Sequence, residues 1–313
     1  MKIDITEINI TKENKDKLLQ LIAQLVEAEN QELKRKATDE RDTSSYYVEY
    51  SKYMNKPQND IGNLLVDGSI ELSEFGFGMS FLFNSFFAAK AMLRVIANLT
   101  NEKKKPIEKD LALDIFSEAA IARGLQRYNG FPKERPKKHE RSGVTRLTYS
   151  VILPLSKIGM LKIDGTKLIL TKEGFNFAML YNPKLDENKG ELFSEEERDY
   201  IIDYLKEIEM RGFKEYSFLK QIVDFIKKKT TEKRSIAFVD LIEFLKGNQS
   251  FIDYIYKNTK FSKKGIPKES KVFLNKVERI IRVILASRIA ILRELKIIED
   301  RRNSYRIIDD ILR

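Results

Sequence analysis

The sequence predicts a mainly helical protein in three parts, the last two of which each close with a small β-hairpin. Three observations carry this reading. Apolar residues recur every three or four positions along most of the 313-residue chain, the period of an amphipathic helix. Two stretches, beginning at Leu155 and Leu292, share one pattern of apolar helix end, polar turn and strand. Charge is divided along the chain: residues 1–100 hold 12 basic and 15 acidic side chains, residues 101–190 hold 18 and 11, and residues 191–313 hold 27 and 21. The boundaries expected from these shifts are 1–100, a helical N-terminal domain, then 101–190, then 191–313.

In the first part, Leu18, Leu19, Ile22, Leu25 and Val26 mark a helix within 13–35. Ser45 to Tyr53 is rich in tyrosine and reads as a short strand. Leu64 to Leu72 reads as two strands around the turn pair Asp67-Gly68. The apolar stretch from Phe75 to Ala89, continuing through Leu99, reads as a long buried helix. At 15 residues its uncharged portion is shorter than the ~20 needed to span a bilayer.

In the second part, Pro106 is placed at a helix start, where its missing N–H costs nothing. Ile107, Leu111, Ile115, Phe116 and Ala119 follow at helical spacing. A basic segment with Pro132 and Pro136 comes next. A second helix, with Leu147, Val151, Ile152, Leu155 and Ile158 on one face, contains Pro154 and is expected to be irregular there. Met160–Ile163 and Lys167–Leu170 form a hairpin around Asp164-Gly165-Thr166, and a helix starts at Thr171.

In the third part, Ser194 and Glu197 form a capping box that opens a helix through Ile208. Phe218 to Ile226 and Phe238 to Leu245 mark two more. The longest runs from Lys268 to Glu294, with Val277, Ile280, Ile281, Ile284, Leu285 and Leu292 inward. It leads into Ile297-Ile298, a polar turn, and Tyr305–Ile308.

The stretches LSKIGMLKIDGTKLIL and LRELKIIEDRRNSYRII pair Leu155 with Leu292, Ile158 with Leu295, and Met160-Leu161 with Ile297-Ile298. Each is a helix running directly into a small antiparallel hairpin. This resembles the winged-helix module, in which the helix is the reader and the hairpin the wing. The first copy, with LTKEG after its hairpin, is similar to modules of DNA-binding regulators and of restriction-enzyme recognition domains. The resemblance covers roughly 70–80 residues per copy and implies a fold with two winged-helix-like modules after the N-terminal domain.

It also implies a set of DNA-contacting residues. A helix fits the major groove with its early residues toward base edges, while Lys and Arg around it neutralise phosphates. In the first copy the backbone contacts would come from Arg123, Arg127, Lys133, Arg135, Lys137, Lys138 and Arg141. Base contacts would come from Ser142, Thr145, Arg146, Thr148 and Tyr149. In the second copy Lys276, Arg279 and Arg282 recur every three residues as a basic stripe. Arg301 and Arg302 stand at the wing tip, where arginine can enter a narrow minor groove. The first wing turn is short and acidic, a poor groove reader.

Composition narrows the chemistry. The chain has no cysteine and one histidine, His139, which removes disulfides, thiolate metal sites, cysteine nucleophiles and multi-histidine centres. Neither GxxxxGK[ST] nor GxGxxG occurs, and no cofactor is expected. Asp110, Asp114 and Glu118 share a helix face and could hold Mg²⁺, but read as a solvated acidic stripe. The triplets Glu102-Lys103-Lys104, Glu187-Asn188-Lys189 and Glu294-Leu295-Lys296 match the Glu-x-Lys of restriction-type nucleases, though none is expected on a suitable strand.

The net charge of +10 lies in the last two thirds and points to a polyanionic partner there. The expected role is binding double-stranded DNA without chemistry of its own, as a regulator or the DNA-reading subunit of a larger assembly. The alternatives are a nuclease with its site in the first 100 residues, and a scaffold that docks proteins. The acidic first part, with six phenylalanines between Phe75 and Phe87, is expected to dock a second copy or a partner subunit. The polar start from Met1 to Ile10 and the cysteine-free, lysine-rich composition suit a cytoplasmic protein with no membrane span.

Overall fold

A computed structural model describes residues 49–70, 85–133, 148–210, 213–232, 236–258, 260–301 and 304–309. The chain divides into two compact units, 1–49 and 50–313, and the second is the one described here. It is mainly helical with small antiparallel sheets.

The unit is organised around α1 (Phe86–Lys103). Ser85 caps it by accepting from the Ala88 N–H. Its residues from Phe86 to Ala97 are buried on every side, so it is a core helix rather than a half-exposed one. The helix ends where Lys104 turns left-handed, and its N–H returns to the Thr100 carbonyl. The boundary expected near residue 100 therefore falls inside a helix whose neighbours come from both sides of it. Phe86 and Phe87, expected on a docking face, are core residues. Phe87 packs on Tyr128, Phe131 and Phe193, and Phe116 stacks on Phe131. Each buried ring of this cluster is worth about 1.5–3 kcal/mol in apolar transfer.

Two strand expectations ahead of α1 are corrected. Tyr50-Ser51 is helical and Lys52–Met54 forms a 3-10 turn. Its carbonyls are met by α1, since the Asn98 side chain donates to Tyr53 O at 2.9 Å and Asn55 O at 3.0 Å. No hairpin forms across 64–70 either: Gly62–Leu64 is a 3-10 turn and Val66 makes a single parallel bridge to Thr171.

After α1 the order is β1 (Ile107–Glu108), α2 (Lys109–Ala122), a widened π turn over Thr148–Ile152, α3 (Leu153–Lys157), β2 (Leu161–Asp164), β3 (Lys167–Leu170) and α4 (Lys172–Met179). Pro106 precedes a strand, not a helix. Ile107 and Glu108 are drawn into pairing with Leu168 and Lys167, and the Lys109 N–H donates to Thr166 O, so the helix starts later. The sheet order is β1-β3-β2. Pro154 stands near the start of α3, immediately after the π turn, which accounts for the expected irregularity. Gly159, at φ +81°, ends α3 and leaves no room for a side chain against the Ser69 backbone.

A connector of α5 (Pro183–Glu187) and α6 (Glu195–Glu207) leads on, the latter opened by the expected Ser194–Glu197 capping box. A two-residue hairpin, β4 (Glu209–Met210) with β5 (Phe213–Lys214), precedes α7 (Glu215–Thr231). Then come α8 (Phe238–Lys246), α9 (Gln249–Lys257), α10 (Lys260–Lys263), α11 (Lys271–Glu294), β6 (Ile298–Arg301) and β7 (Ser304–Ile307). The Tyr305 N–H donates to Ile236 O at 2.9 Å, so one residue ahead of α8 lies beside β7.

The two halves repeat. First helices open at Phe86 and Glu215, second helices at Lys109 and Phe238, and the residue that meets the later hairpin is Ile107 or Ile236, all at one constant interval. Hairpin strands start at Leu161 and Ile298, and at Lys167 and Ser304, at a second constant and slightly longer interval. Ile107 beside Leu168 corresponds to Ile236 beside Tyr305.

Candidate nucleic-acid interface

In the second half the basic stripe lies on α11. Ser270 caps this helix by accepting from the Phe273 N–H. Phe273, Val277, Ile280, Ile281, Ile284 and Leu285 bury one side, which leaves Lys276, Arg279 and Arg282 exposed on the other. Val272 (65% exposed) and Val283 (49%) stand among them, so the exposed surface mixes cations with apolar side chains. Arg282 is held by Glu278, at 2.7 and 3.1 Å, and Glu278 also draws Lys246 at 3.7 Å. Lys276 and Arg279 meet no carboxylate among the described residues, so the stripe's charge is concentrated on those two. Arg301 ends β6 opposite Ser304; its side chain, like Arg302 entirely, lies outside the described residues.

The first half gives a different result. Arg123 was expected on the DNA backbone but turns inward. Its guanidinium donates to Ser51 O at 2.7 and 3.0 Å, to Leu185 O and to the Asn55 side chain. Burial, and then the Arg94 charge, push it down to about 10. The cause is local: α2 ends there, and the chain turns away at left-handed Gly124. Arg127 is exposed, lies over the Tyr128 ring and donates to the Tyr128 hydroxyl at 2.9 Å. Lys133 is exposed and reaches Gln126 O. Arg135, Lys137, Lys138, His139, Arg141, Ser142, Thr145 and Arg146 lie outside the described residues, as do the side chains of Thr148 and Tyr149.

The catalytic candidates do not assemble among the described residues. Asp110, Asp114 and Glu118 lie along α2, with Asp114 raised by partial burial and by the Asp110 charge, and no described acidic group forms a metal cluster. Two of the Glu-x-Lys triplets straddle the C-termini of α1 and α11 and the third that of α5; none lies in a strand.

Sequence reasoning missed a set of buried charges. Lys90 is fully buried on α1. It pairs with Glu197 of α6 at 2.8 Å, donates to Phe177 O and to Leu180 O at 2.9 Å, and sits over the Phe177 ring. Desolvation pushes it down to about 7 against the opposing pull of Glu197. One turn on, Arg94 holds Asp186 with both terminal nitrogens, at 2.6 and 2.9 Å, and donates to Met54 O, Ala178 O and Leu180 O. Ala178 O and Leu180 O are carbonyls at the end of α4, and Met54 O closes the 3-10 turn. In the second half Arg288 of α11 grips Glu215 of α7 at 2.7 and 2.9 Å. Glu294, at the last position of α11, accepts from the Phe86 and Phe87 N–H groups at 2.8 and 3.4 Å, an anion at the N-terminus of α1. Burial pushes it up to about 7. The available signal was two isolated cations, Lys90 and Arg94, in the apolar run FFAAKAMLRVIA; nothing local names their partners.

No family model, curated protein or solved structure matches this chain.

Proposed function

We propose that this protein binds double-stranded DNA through two winged-helix modules, residues 86–170 and 215–307, without a reaction of its own, as a regulator or the DNA-reading subunit of a larger assembly. The shared order of the two halves supports this reading: each opens with two helices and closes with a helix running into a hairpin, and the second half inserts α9 and α10 before α11. So does the backbone pairing ahead of each second helix, β1 with β3 in the first half and the single Tyr305 N–H to Ile236 O bond in the second. The observation that carries the proposal is the exposed face of α11, with Lys276 and Arg279 beside Val272 and Val283. An α-helix enters the major groove, arginine reads guanine, and an apolar side chain meets the thymine methyl.

Equilibrium binding to random duplex DNA across salt tests it. With six or so phosphate contacts, affinity falls about 10³-fold between roughly 50 and 200 mM salt. A flat response, or no binding at low salt, ends the reading. A protein-docking role is the second reading, favoured by the exposure of Val272 and Val283 on that same face. It predicts no duplex binding at low salt. No described helix is long and apolar enough to cross a membrane.

A further inference from the structure

Directly before α11 the chain carries six lysines between Lys257 and Lys271 against one acid, Glu269. This connector is held in one shape. Phe261 and Tyr256 both meet the Phe273 ring edge-on, with centroids 5.4 and 5.2 Å apart, fastening the connector and the end of α9 to the first turn of α11. The Tyr256 hydroxyl donates to Ile266 O at 2.9 Å, and the Ile266 N–H to Phe261 O at 3.0 Å. Gly265 takes the left-handed conformation that closes the turn, at φ +64°. Lys268 is spent on the fold: it pairs with Asp253 at 2.6 Å and lies over the Tyr256 ring.

Three lysines are left for another use. Lys257, Lys264 and Lys271 are exposed; Lys264 and Lys271 meet no carboxylate among the described residues, and Lys257 makes no ion pair there but lends its charge to Asp253, which Lys268 already holds. Lys271 is also placed against local electrostatics. It is the first residue of α11, at the positive end of the helix dipole, and no acid in the first turn offsets it. A cation there costs stability by itself, and such local violations mark sites kept for function.

We infer that Lys257, Lys264 and Lys271 form a pre-ordered ledge that grips the sugar-phosphate backbone of duplex DNA beside the α11 stripe. The inference rests on the proposed duplex-binding function and adds to it a contact surface that positions the reader helix. Because the aromatic anchor already orders the connector, binding loses little conformational entropy there. Contacts of this kind are indifferent to base sequence.

The test compares three full-length proteins on random labelled duplex by anisotropy across salt: the parent, the Lys257→Gln/Lys264→Gln/Lys271→Gln variant, and a Lys103→Gln/Lys105→Gln/Lys206→Gln variant with the same net charge. The ledge variant is expected to lower the slope of log affinity against log salt by about 3, equally for duplexes of different sequence, while the control keeps the parent slope. All substituted side chains are exposed, and thermal melting verifies that each variant is folded. If the parent binds and the ledge variant keeps its slope, or if both variants lose slope alike, the ledge is wrong and duplex binding stands. If the parent does not bind duplex at low salt, the function proposed above fails and the ledge with it.

Discussion

The two halves of the unit share their order of elements and differ in their interiors. In the first, Lys90 and Arg94 are sunk in the central helix and reach the end of α4, Asp186 and Glu197. In the second, the equivalent helix, α7, buries Phe218, Leu219, Ile222, Val223 and Ile226, and the ion pair beside them joins its first residue, Glu215, to Arg288. The difference follows from what each half must hold. In the first, the Phe177, Ala178 and Leu180 carbonyls at the end of α4 accept from these buried cations. An element order can therefore recur on unlike cores, provided that each core satisfies its own buried polar groups.

Arg94→Ala should produce the largest effect. It removes the cation that Asp186 pairs with and the side-chain donor to Met54 O and Ala178 O, so urea unfolding should show a loss of about 3–5 kcal/mol. Arg288→Ala strands Glu215 and should cost less, at the lower end of that range. Equal losses would mean that the carbonyl contacts add nothing and that the two interiors are energetically alike.

The pH dependence of stability separates the halves in another way. Unfolded, Glu294 titrates near 4.5; folded, near 7. Between these the unfolded chain has released a proton that the folded one keeps, so stability falls as pH rises. Lys90 titrates near 7 folded and 10.5 unfolded. In that window the folded chain has released a proton that the unfolded one keeps, so stability rises with pH. Together they place a minimum near pH 7, each limb worth a few kcal/mol at most. Melting temperatures from about pH 5 to about pH 10 should trace it. Glu294→Gln, which keeps an acceptor for the Phe86 N–H, should flatten the acid limb alone.

On the α11 face, Arg279→Ala should weaken duplex binding by about 1–3 kcal/mol and change sequence preference. Arg282→Ala should do less, because Glu278 already holds that side chain. Identical losses on every duplex would make the stripe a backbone contact rather than a reader. The smallest effect is at the caps. Thr171→Ala in the first half and Ser270→Ala in the second should each cost about 1 kcal/mol by denaturant unfolding, since each removes one acceptor for a helix N–H.

The sequence by itself determined what depends on neighbours a few residues apart. The 3.6-residue period placed α1, α2 and the helices of the third part. Ser194 with Glu197 marked the start of α6, and the likeness between Leu155 and Leu292 found both hairpins. The outward side of α11 was legible because a helix face is fixed once its apolar stripe is known. Only the tertiary structure decided what depends on distant partners. Pro106 reads equally well before a helix or a strand until Leu168 pairs with Ile107. The tyrosines near Tyr53 suit a strand until Asn98 takes the carbonyls. Arg123 looks like one more cation of a basic segment until the backbone of Ser51 and Leu185 surrounds it. A buried charge goes where unsatisfied carbonyls and carboxylates converge in space, and that place exists only after helices far apart in the chain have packed.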